Sequence, residues 1–328
     1  MIEDREIVQL EATGERVKLL VRRGGNAGEA NRLRSFLGHK GSPYTEHVND
    51  FLKNGSRGLY EGLEWRFYLA EIDGVYAANI CTWEYKGVGL LGHVFTHPVH
   101  RRKGLARLLM DFLHDDFEQR GGHTMQLNTR PDSYQQNFYA SLGYERLAAA
   151  PGSMFRLFGE DHTEPDSDVA PVVFEWRHWP TLHQSLLMEG RPFVRSVGMG
   201  IYGPGSAEGR LLDVFYRGGI SRHRESLCVL EAAASRVVGC ASILPDRLWG
   251  GKGTHKVLDV YVESFHRRCT GDLVATVLEK ATGPLLWYRE VEEDETVNPA
   301  AFGFEPAGYL PESGDGRDIE IWQLAAGK

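Results

Sequence analysis

The stretch that decides the fold of this chain runs from His93 to Ala106 and reads H-V-F-T-H-P-V-H-R-R-K-G-L-A. It starts in an apolar run, meets a proline at Pro98 and continues into a basic loop. Apolar residues then recur at helical spacing: Leu105, Leu108, Leu109, Phe112, Leu113 and Phe117. This pattern predicts a buried strand, a short loop and an amphipathic helix that begins near Gly104.

The loop before this helix has the properties of an anion site. The first turn of a helix carries backbone N–H groups without intrahelical partners and about half a unit of positive charge. Arg101, Arg102, Lys103 and Gly104 occupy that position in the sequence. We therefore expect a phosphate or pyrophosphate group to bind there.

Two motifs resemble the GNAT N-acetyltransferases. The first, R-R-K-G-L-A at Arg101 to Ala106, is similar to the loop that binds the pyrophosphate of acyl-CoA in that family. The second, N-F-Y-A-S-L-G-Y at Asn137 to Tyr144, resembles the helix whose tyrosine faces the sulfur of CoA. Both occur in the family's order. The resemblance implies a GNAT fold and an acetyl-CoA-dependent N-acetyltransferase.

The same resemblance implies which residues bind CoA. Backbone groups of Phe95 and Thr96 would hydrogen-bond the pantetheine arm, and Ser133 or Asn137 would contact the far end of the molecule. The residues implied at the pyrophosphate are Arg101, Arg102, Lys103, Gly104, Leu105 and Ala106. Acetyl-CoA would be a cosubstrate, and no metal is implied.

Acyl transfer to an amine requires a base for the amine and an acid for the leaving thiolate. Tyr139 is the candidate acid, because a phenol, with a pKa of about 10, can hydrogen-bond the sulfur and donate a proton to it. His93 on the central strand and Glu84, expected beside it in the preceding strand, are candidate bases, and a water relayed to a distant carboxylate is a third possibility. No metal site is predicted at His93, His97 and His100, because their side chains should diverge on a strand that is followed by a proline.

Length and composition favour two domains of ordinary size. The chain has 328 residues, of which 42% are hydrophobic, enough for two packed cores. No apolar run is long enough to span a bilayer, and residues 1–14 lack a signal-peptide core, so we expect a cytoplasmic protein without a membrane partner. The four cysteines show neither disulfide nor zinc spacing; they are Cys81, Cys228, Cys240 and Cys269.

The net charge of −8 is unevenly distributed. Residues 1–160 hold 20 basic and 20 acidic side chains, so the acidic excess lies entirely in the remainder. Nucleic-acid binding needs clustered lysine and arginine, so no nucleic-acid partner is predicted. An acidic half would suit a cationic substrate, and the expected acceptor is a primary amine of a small molecule or a peptide.

The pattern of the first half recurs in the second. V-F-T-H-P-V-H-R-R at Val94 is echoed by V-Y-V-E-S-F-H-R-R at Val260, and S-L-G-Y-E-R at Ser141 by A-F-G-F-E-P at Ala301. An acidic, proline-containing stretch separates the two halves. The predicted fold class is α/β (α+β), with two tandem GNAT-like domains at 1–160 and 172–328 and a linker at 161–171. Each domain would have a mixed, mostly antiparallel central sheet flanked by helices.

The first half is predicted to open on a strand at Val17 to Arg22. Helices follow over Ala27 to Leu37 and Tyr44 to Leu52, and this helical region is expected to contribute to acceptor selectivity. A hairpin with an Asp-Gly turn then leads to the central strand, which ends at Thr96.

The second copy lacks the chemistry of the first. Aligned on the shared arginine, Gly104 corresponds to Thr270, and Asp272 adds a negative charge where the ligand's own charge would lie. Pro299 takes the place of Tyr139. We therefore expect the first domain to be catalytic and the second to be a degenerate copy. The alternative is a noncatalytic acyl-CoA-binding or regulatory module.

Overall fold

The computed structural model describes the following residues: 2–23, 31–33, 41, 44–54, 60–148, 150–159, 168–188, 193–203, 207–214, 226–232, 236–246, 255–291, 297–313 and 316–325. They divide into two compact units. The first unit comprises residues 1–147 and 151–162, and the second comprises 148–150 and 163–328. Each unit is built around one large sheet with its own hydrophobic core.

The first unit contains an eight-stranded sheet in the order β1-β2-β3-β4-β5-β6-β8-β7. Its strands are β1 Ile2–Gln9, β2 Arg16–Arg23, β3 Glu64–Ile72, β4 Val75–Tyr85, β5 Val88–Thr96, β6 Thr124–Asn128, β7 Glu145–Leu147 and β8 Ala150–Leu157. Strands β5 and β6 run parallel. The sheet is otherwise antiparallel from β1 to β5 and between β6 and β8, so the predicted mixed, mostly antiparallel sheet is confirmed.

Three helices of the first unit are described: α1 Tyr44–Asn54, α2 Leu105–Gln119 and α3 Tyr134–Ala140. Helix α2 follows β5 as predicted and packs an apolar face against the sheet, with Leu109, Leu113 and Phe117 fully buried. The predicted helix over Tyr44 to Leu52 is confirmed. The one predicted over Ala27 to Leu37 lies outside the described residues except at 31–33, which are helical.

The second unit contains a seven-stranded sheet in the order β16-β17-β15-β14-β13-β12-β9, beside a small pair formed by β10 and β11. The strands are β9 Val169–Val173, β10 Val194–Ser196, β11 Ile201–Tyr202, β12 Leu227–Ala232, β13 Val237–Pro245, β14 Lys256–Val262, β15 Leu285–Glu290, β16 Glu305–Ser313 and β17 Arg317–Leu324. Its described helices are α4 Trp179–Met188, α5 Glu208–Leu212 and α6 Thr270–Leu278.

The two large sheets repeat one topology. Strands β2, β3, β4, β5, β6, β8 and β7 have the same neighbours as β9, β12, β13, β14, β15, β17 and β16. In each sheet a parallel pair, β5 with β6 and β14 with β15, is connected through a helix. The repeat in the sequence therefore corresponds to a repeat of the sheet topology. None of the described helices has both the length and the apolar character needed to cross a bilayer.

Candidate active site

The parallel strands β5 and β6 pair over only part of their length. Val88–Leu91 lie in register with Thr124–Leu127, and the ladder ends there. Strand β5 continues to Thr96, whereas β6 ends at Asn128 and pairs on its other side with β8. The two strands therefore separate beyond Leu91. The gap between β5 and β6 places backbone groups of β5 where an extended ligand could bind them.

A β-bulge interrupts β5 at this gap. The register between β4 and β5 shifts between Asn79 and Cys81, so His93 and Val94 together oppose Ile80. His93 has a φ of 51°, in the left-handed region that residues other than glycine rarely occupy. Bulges of this kind occur next to active sites, where they redirect a side chain.

The imidazole of His93 lies among aromatic rings. Its centroid is 5.3 Å from that of Trp83 and 5.9 Å from that of Tyr44. The ring of His47 stacks on Trp83 at 5.3 Å and lies 6.5 Å from His93. Complete burial, and to a smaller extent His93, hold the pKa of His47 well below its ordinary value. A neutral, mostly aromatic wall thus surrounds the candidate base.

Glu84 does not lie beside His93, and the proximity expected from strand order is wrong. Glu84 pairs with Gly89 near the other end of β5. Alternation along β4 puts Glu84 on the face opposite Trp83, the ring that contacts His93. Its carboxylate accepts a hydrogen bond from Thr82 and forms an ion pair with Arg120 at 2.5 Å. Glu84 therefore belongs to a buried ion cluster near the C-terminal end of α2.

The basic loop before α2 has the backbone conformation of an anion site. Arg102 and Gly104 have φ values of 64° and 87°. Gly104 is the N-cap of α2, offers no side chain to cap it, and is followed by a first turn without acidic residues. A Cβ on Gly104 would meet no atom within 4 Å, so the position favours glycine for its conformation rather than for lack of space. The first-turn N–H groups therefore remain available to an anion.

The basic side chains of this loop have different roles in the structure. Arg101 donates from Nε to the carbonyl of Thr96 at 3.1 Å, which ties the loop to the end of β5. Lys103 forms an ion pair with Glu15 at 2.7 Å, and this contact lowers the pKa of Glu15. Arg102 is exposed. Leu105 is buried in the core, so only its backbone could face a ligand.

The residues expected at the far end of CoA have partners within the protein. The hydroxyl of Ser133 caps α3 by accepting from the N–H of Gln136 at 3.2 Å. Asn137 accepts a hydrogen bond from Arg146 at 2.8 Å. Either side chain would have to exchange or share these contacts to bind CoA.

Tyr139 lies on α3 and is 7% exposed. Its ring packs against Tyr144 at 5.9 Å, in the hydrophobic core beneath α2. The Tyr144 hydroxyl lies 3.1 Å from Nε2 of His114. Burial and the neighbouring Arg156 lower the pKa of His114 to about 3, while burial raises that of Tyr144. Tyr139 therefore borders a region in which neutral forms of titratable groups are favoured.

The corresponding loop of the second unit has a different backbone. A 3-10 helix at Ser264–Cys269 runs directly into α6, and no residue from Ser264 to Asp272 has a positive φ. Thr270 has a right-handed conformation, and its hydroxyl donates to the carbonyl of Arg267 at 2.7 Å. Asp272 lies in the first turn of α6. The left-handed turn that precedes α2 is thus replaced by continuous helix.

The open end of β14 is covered by another part of the second unit. Asp259, which the alignment on the shared arginine pairs with His93, accepts hydrogen bonds from the N–H groups of Val197 and Gly198 at 2.7 and 2.8 Å. It also accepts one from the Ser196 hydroxyl at 2.8 Å. Burial raises the pKa of Asp259 to about 6. Residues 196–198 therefore bind the carboxylate at the position that His93 occupies in the first unit.

Two residues near the gap were not anticipated from the sequence. Asn79 is fully buried and donates from Nδ2 to the carbonyl of His93 at 2.7 Å. His47 packs on Trp83, as described above. The available signal was a polar residue inside an apolar strand, A-A-N-I-C at Ala77–Cys81, and a histidine on the buried face of a helix.

Part of the chain is similar to known proteins. Residues 64–146 match the family model described as an acetyltransferase (GNAT) domain. A search of curated proteins finds no match to the chain. Solved structures that resemble part of the chain include a putative GNAT acetyltransferase from Desulfovibrio desulfuricans, which is 18% identical and has a TM-score of 0.35; the match covers 42% of this chain and 94% of that one.

Two other solved structures are similar over comparable lengths. The ribosomal-protein-S18-alanine N-acetyltransferase of Escherichia coli is 17% identical with a TM-score of 0.35, over 44% of this chain and 98% of its own. The PaiA N-acetyltransferase of Thermoplasma acidophilum, in complex with coenzyme A, is 14% identical with a TM-score of 0.32; the match covers 42% of this chain and 99% of that one. The likeness to this family rests on the family model rather than on these overall scores. The matched residues, 64–146, include β3 to β6, α2 and α3.

Proposed function

We propose that this protein is an acetyl-CoA-dependent N-acetyltransferase that transfers the acetyl group directly to a primary amine of a small molecule or peptide. The observation that carries the proposal is the uncapped start of α2 behind a left-handed Gly104, next to the open end of β5. We further propose that residues 1–160 hold the active site. The second unit would form an auxiliary domain; its strand β9 at Val169–Val173 extends three residues into the linker predicted at 161–171.

The loop and strand are suited to different parts of acetyl-CoA. The first-turn N–H groups of α2 and the exposed Arg102 would bind the pyrophosphate, with Lys103 contributing if it leaves Glu15. The backbone of Phe95 and Thr96 would hydrogen-bond the pantetheine arm, in the manner of a strand added to the end of β5. The reactive thioester would then lie near the bulge at His93.

Transfer requires one C–N bond to form, one C–S bond to break and two protons to move. In the proposal His93 accepts the proton of the attacking amine, directly or through a water. Tyr139 donates its proton to the sulfur as the C–S bond breaks. Glu84 has no role in this scheme, because its carboxylate is paired with Arg120 on the other face of the sheet.

The decisive experiment measures CoA release from acetyl-CoA across polyamines, aminoglycosides, amino acids and peptides. With an active acceptor, Tyr139→Phe should lower kcat by about 10²-fold or more and leave the Kd for acetyl-CoA unchanged, because an acid contributes only in the transition state. Tyr144→Phe is the matched control, since it removes a hydroxyl bonded to His114 in the core.

Three results would overturn parts of the proposal. Full turnover by Tyr139→Phe would remove the acid role. Binding of acetyl-CoA in calorimetry without CoA release on any acceptor would favour a noncatalytic acyl-CoA-binding or regulatory module. Absence of acetyl-CoA binding would contradict both functions.

A further inference from the structure

We propose that Asn79 is a positioning residue for the acetyl transfer. Its side-chain amide holds the bulge of β5 in place and thereby sets where the imidazole of His93 lies at the gap between β5 and β6. This inference rests on the proposed function, because it acts through the candidate base.

Asn79 contacts the backbone of the bulge directly. Asn79 is fully buried, and its Nδ2 donates to the carbonyl of His93 at 2.7 Å. That carbonyl belongs to the residue with the left-handed φ of 51°. Such a conformation is unfavourable for a residue with a Cβ and persists only where its surroundings enforce it. A buried hydrogen bond to the same peptide unit is an interaction of comparable size.

Only one end of the Asn79 amide makes a hydrogen bond among the described residues. Within the part of the chain that the structure describes, Oδ1 of Asn79 is buried and has no hydrogen-bond partner. A buried amide that satisfies only one of its two ends is costly. The donor of the Asn79 amide, which bonds the carbonyl of His93, is thus the satisfied end of this buried side chain, as a positioning role requires.

The second unit has no asparagine at the equivalent position. Asn79 pairs with Phe95 in the first unit, and Cys240 pairs with Tyr261 at the equivalent place in the second. There the register between β13 and β14 is regular along its whole length, without a bulge. A thiol is only a weak hydrogen-bond donor. The copy that lacks the asparagine thus also lacks the bulge.

The consequence for His93 follows from strand geometry. Side chains alternate between the two faces of a sheet, so losing the extra residue of a bulge turns the side chains on one side of it to the opposite face. His93 would then move away from the rings of Tyr44 and Trp83, and its imidazole would be displaced from the gap.

The test uses Asn79→Cys, the residue found in the second unit, and His93→Gln, alone and together. Asn79→Cys should lower kcat about tenfold or more and leave the KM for acetyl-CoA within about twofold, because it misplaces the base without touching the anion site. The pH–kcat profile of Asn79→Cys should match that of His93→Gln. The double variant should be no slower than His93→Gln, since both changes act on one step.

Thr82→Val is the matched control. Thr82 is equally buried on β4 but faces the opposite side, where it donates to Glu84. It should lower the thermal stability and leave kcat and its pH dependence unchanged. If Asn79→Cys does not fold, Asn79→Asp replaces it: an ionised carboxylate cannot donate to a carbonyl and a protonated one can, so kcat relative to wild type should fall as pH rises.

A crystal structure of the folded variant provides a readout that does not require activity. Asn79→Cys should show a regular β4–β5 register, with His93 out of the left-handed region. A retained bulge, an unchanged kcat, or an effect that adds to that of His93→Gln would overturn the inference. Absence of CoA release by the wild type on every acceptor would instead contradict the proposed function, and the register of the variant would still test the role of Asn79.

Discussion

Replacing Gly104 by alanine is expected to weaken acetyl-CoA binding through the backbone alone. Gly104 precedes α2 with a φ of 87°, and a Cβ there would meet no atom within 4 Å. The only cost is therefore the left-handed conformation, which for an L-residue is about 1–2 kcal/mol. The loop would either keep this strain or relax toward the right-handed conformation that Thr270 has in the second unit. In the relaxed loop the first-turn N–H groups no longer surround the anion.

The magnitude follows from that strain. If the loop must return to the left-handed turn to bind, the Kd for acetyl-CoA rises by the same 1–2 kcal/mol, which is about 5- to 30-fold. If the loop keeps the turn, the first unit loses that free energy of unfolding instead. For a unit of this size the loss lowers the Tm by roughly 2–8 °C. Calorimetric titration with acetyl-CoA and thermal unfolding measure the two quantities separately.

The matched control lies at the other end of the same helix. Gly121 has a φ of 80°, and a Cβ there would also meet no atom within 4 Å. Gly121→Ala therefore carries the same strain far from the proposed anion site, and it should lower the Tm without changing the Kd. The expectation is contradicted if Gly104→Ala changes neither the Kd nor the Tm, or if both variants raise the Kd equally.

Three further predictions concern stability. Arg120→Met should lower the free energy of unfolding in urea by about 3–5 kcal/mol, because it removes a cation shared by two buried carboxylates. Arg146→Met breaks an exposed ion pair and should lower it by less than about 1 kcal/mol, so equal losses would contradict the prediction. Burial lowers the pKa of His183 to about 4, so the unfolded chain binds a proton at higher pH than the folded chain does, and the free energy of unfolding falls as the pH drops from about 6.5 to about 4. His183→Gln should reduce this fall by up to about 3 kcal/mol, and an unchanged pH dependence of the free energy of unfolding would exclude His183 as its cause. Gly198→Ala would place a Cβ 2.5 Å from the Cβ of Leu244, so it should destabilise the second unit by roughly 1–3 kcal/mol without altering the Kd for acetyl-CoA. A wild-type Tm would contradict this, because it would show that the backbone shifts at no cost to make room for the Cβ.

Much of the first unit could be predicted from local patterns. The apolar run before Pro98 and the helical spacing after Gly104 identified β5 and α2, because each pattern repeats within a few residues. The hairpin at Asp73 and Gly74 has the two-residue turn that this dipeptide favours. Strand β1 at Ile2–Gln9 was missed, because its charged sequence, I-E-D-R-E-I-V-Q, shows little of the alternation by which strands are recognised.

The candidate site was predicted less completely, for a different reason. The anion loop depends on consecutive residues and on the sign of their charges, so the contrast between Gly104 and Thr270 was visible in the sequence. The position of Glu84 was not, since it depends on how β4 and β5 are registered across a bulge. The hydrogen bond between Asn79 and His93 joins residues on different strands, so no periodic pattern within either strand indicates it.

The sequence alone was enough to predict the repeat, the strand–loop–helix junction in each half and the loss of the glycine from the second. These properties are encoded in neighbouring residues, through periodicity, backbone conformational preference and charge. The tertiary structure alone decided that β5 separates from β6 beyond Leu91, that a bulge turns His93 toward aromatic rings, and that Asp259 binds a covering segment instead. Those features arise from strand register and from contacts between distant residues, which form only when the chain folds.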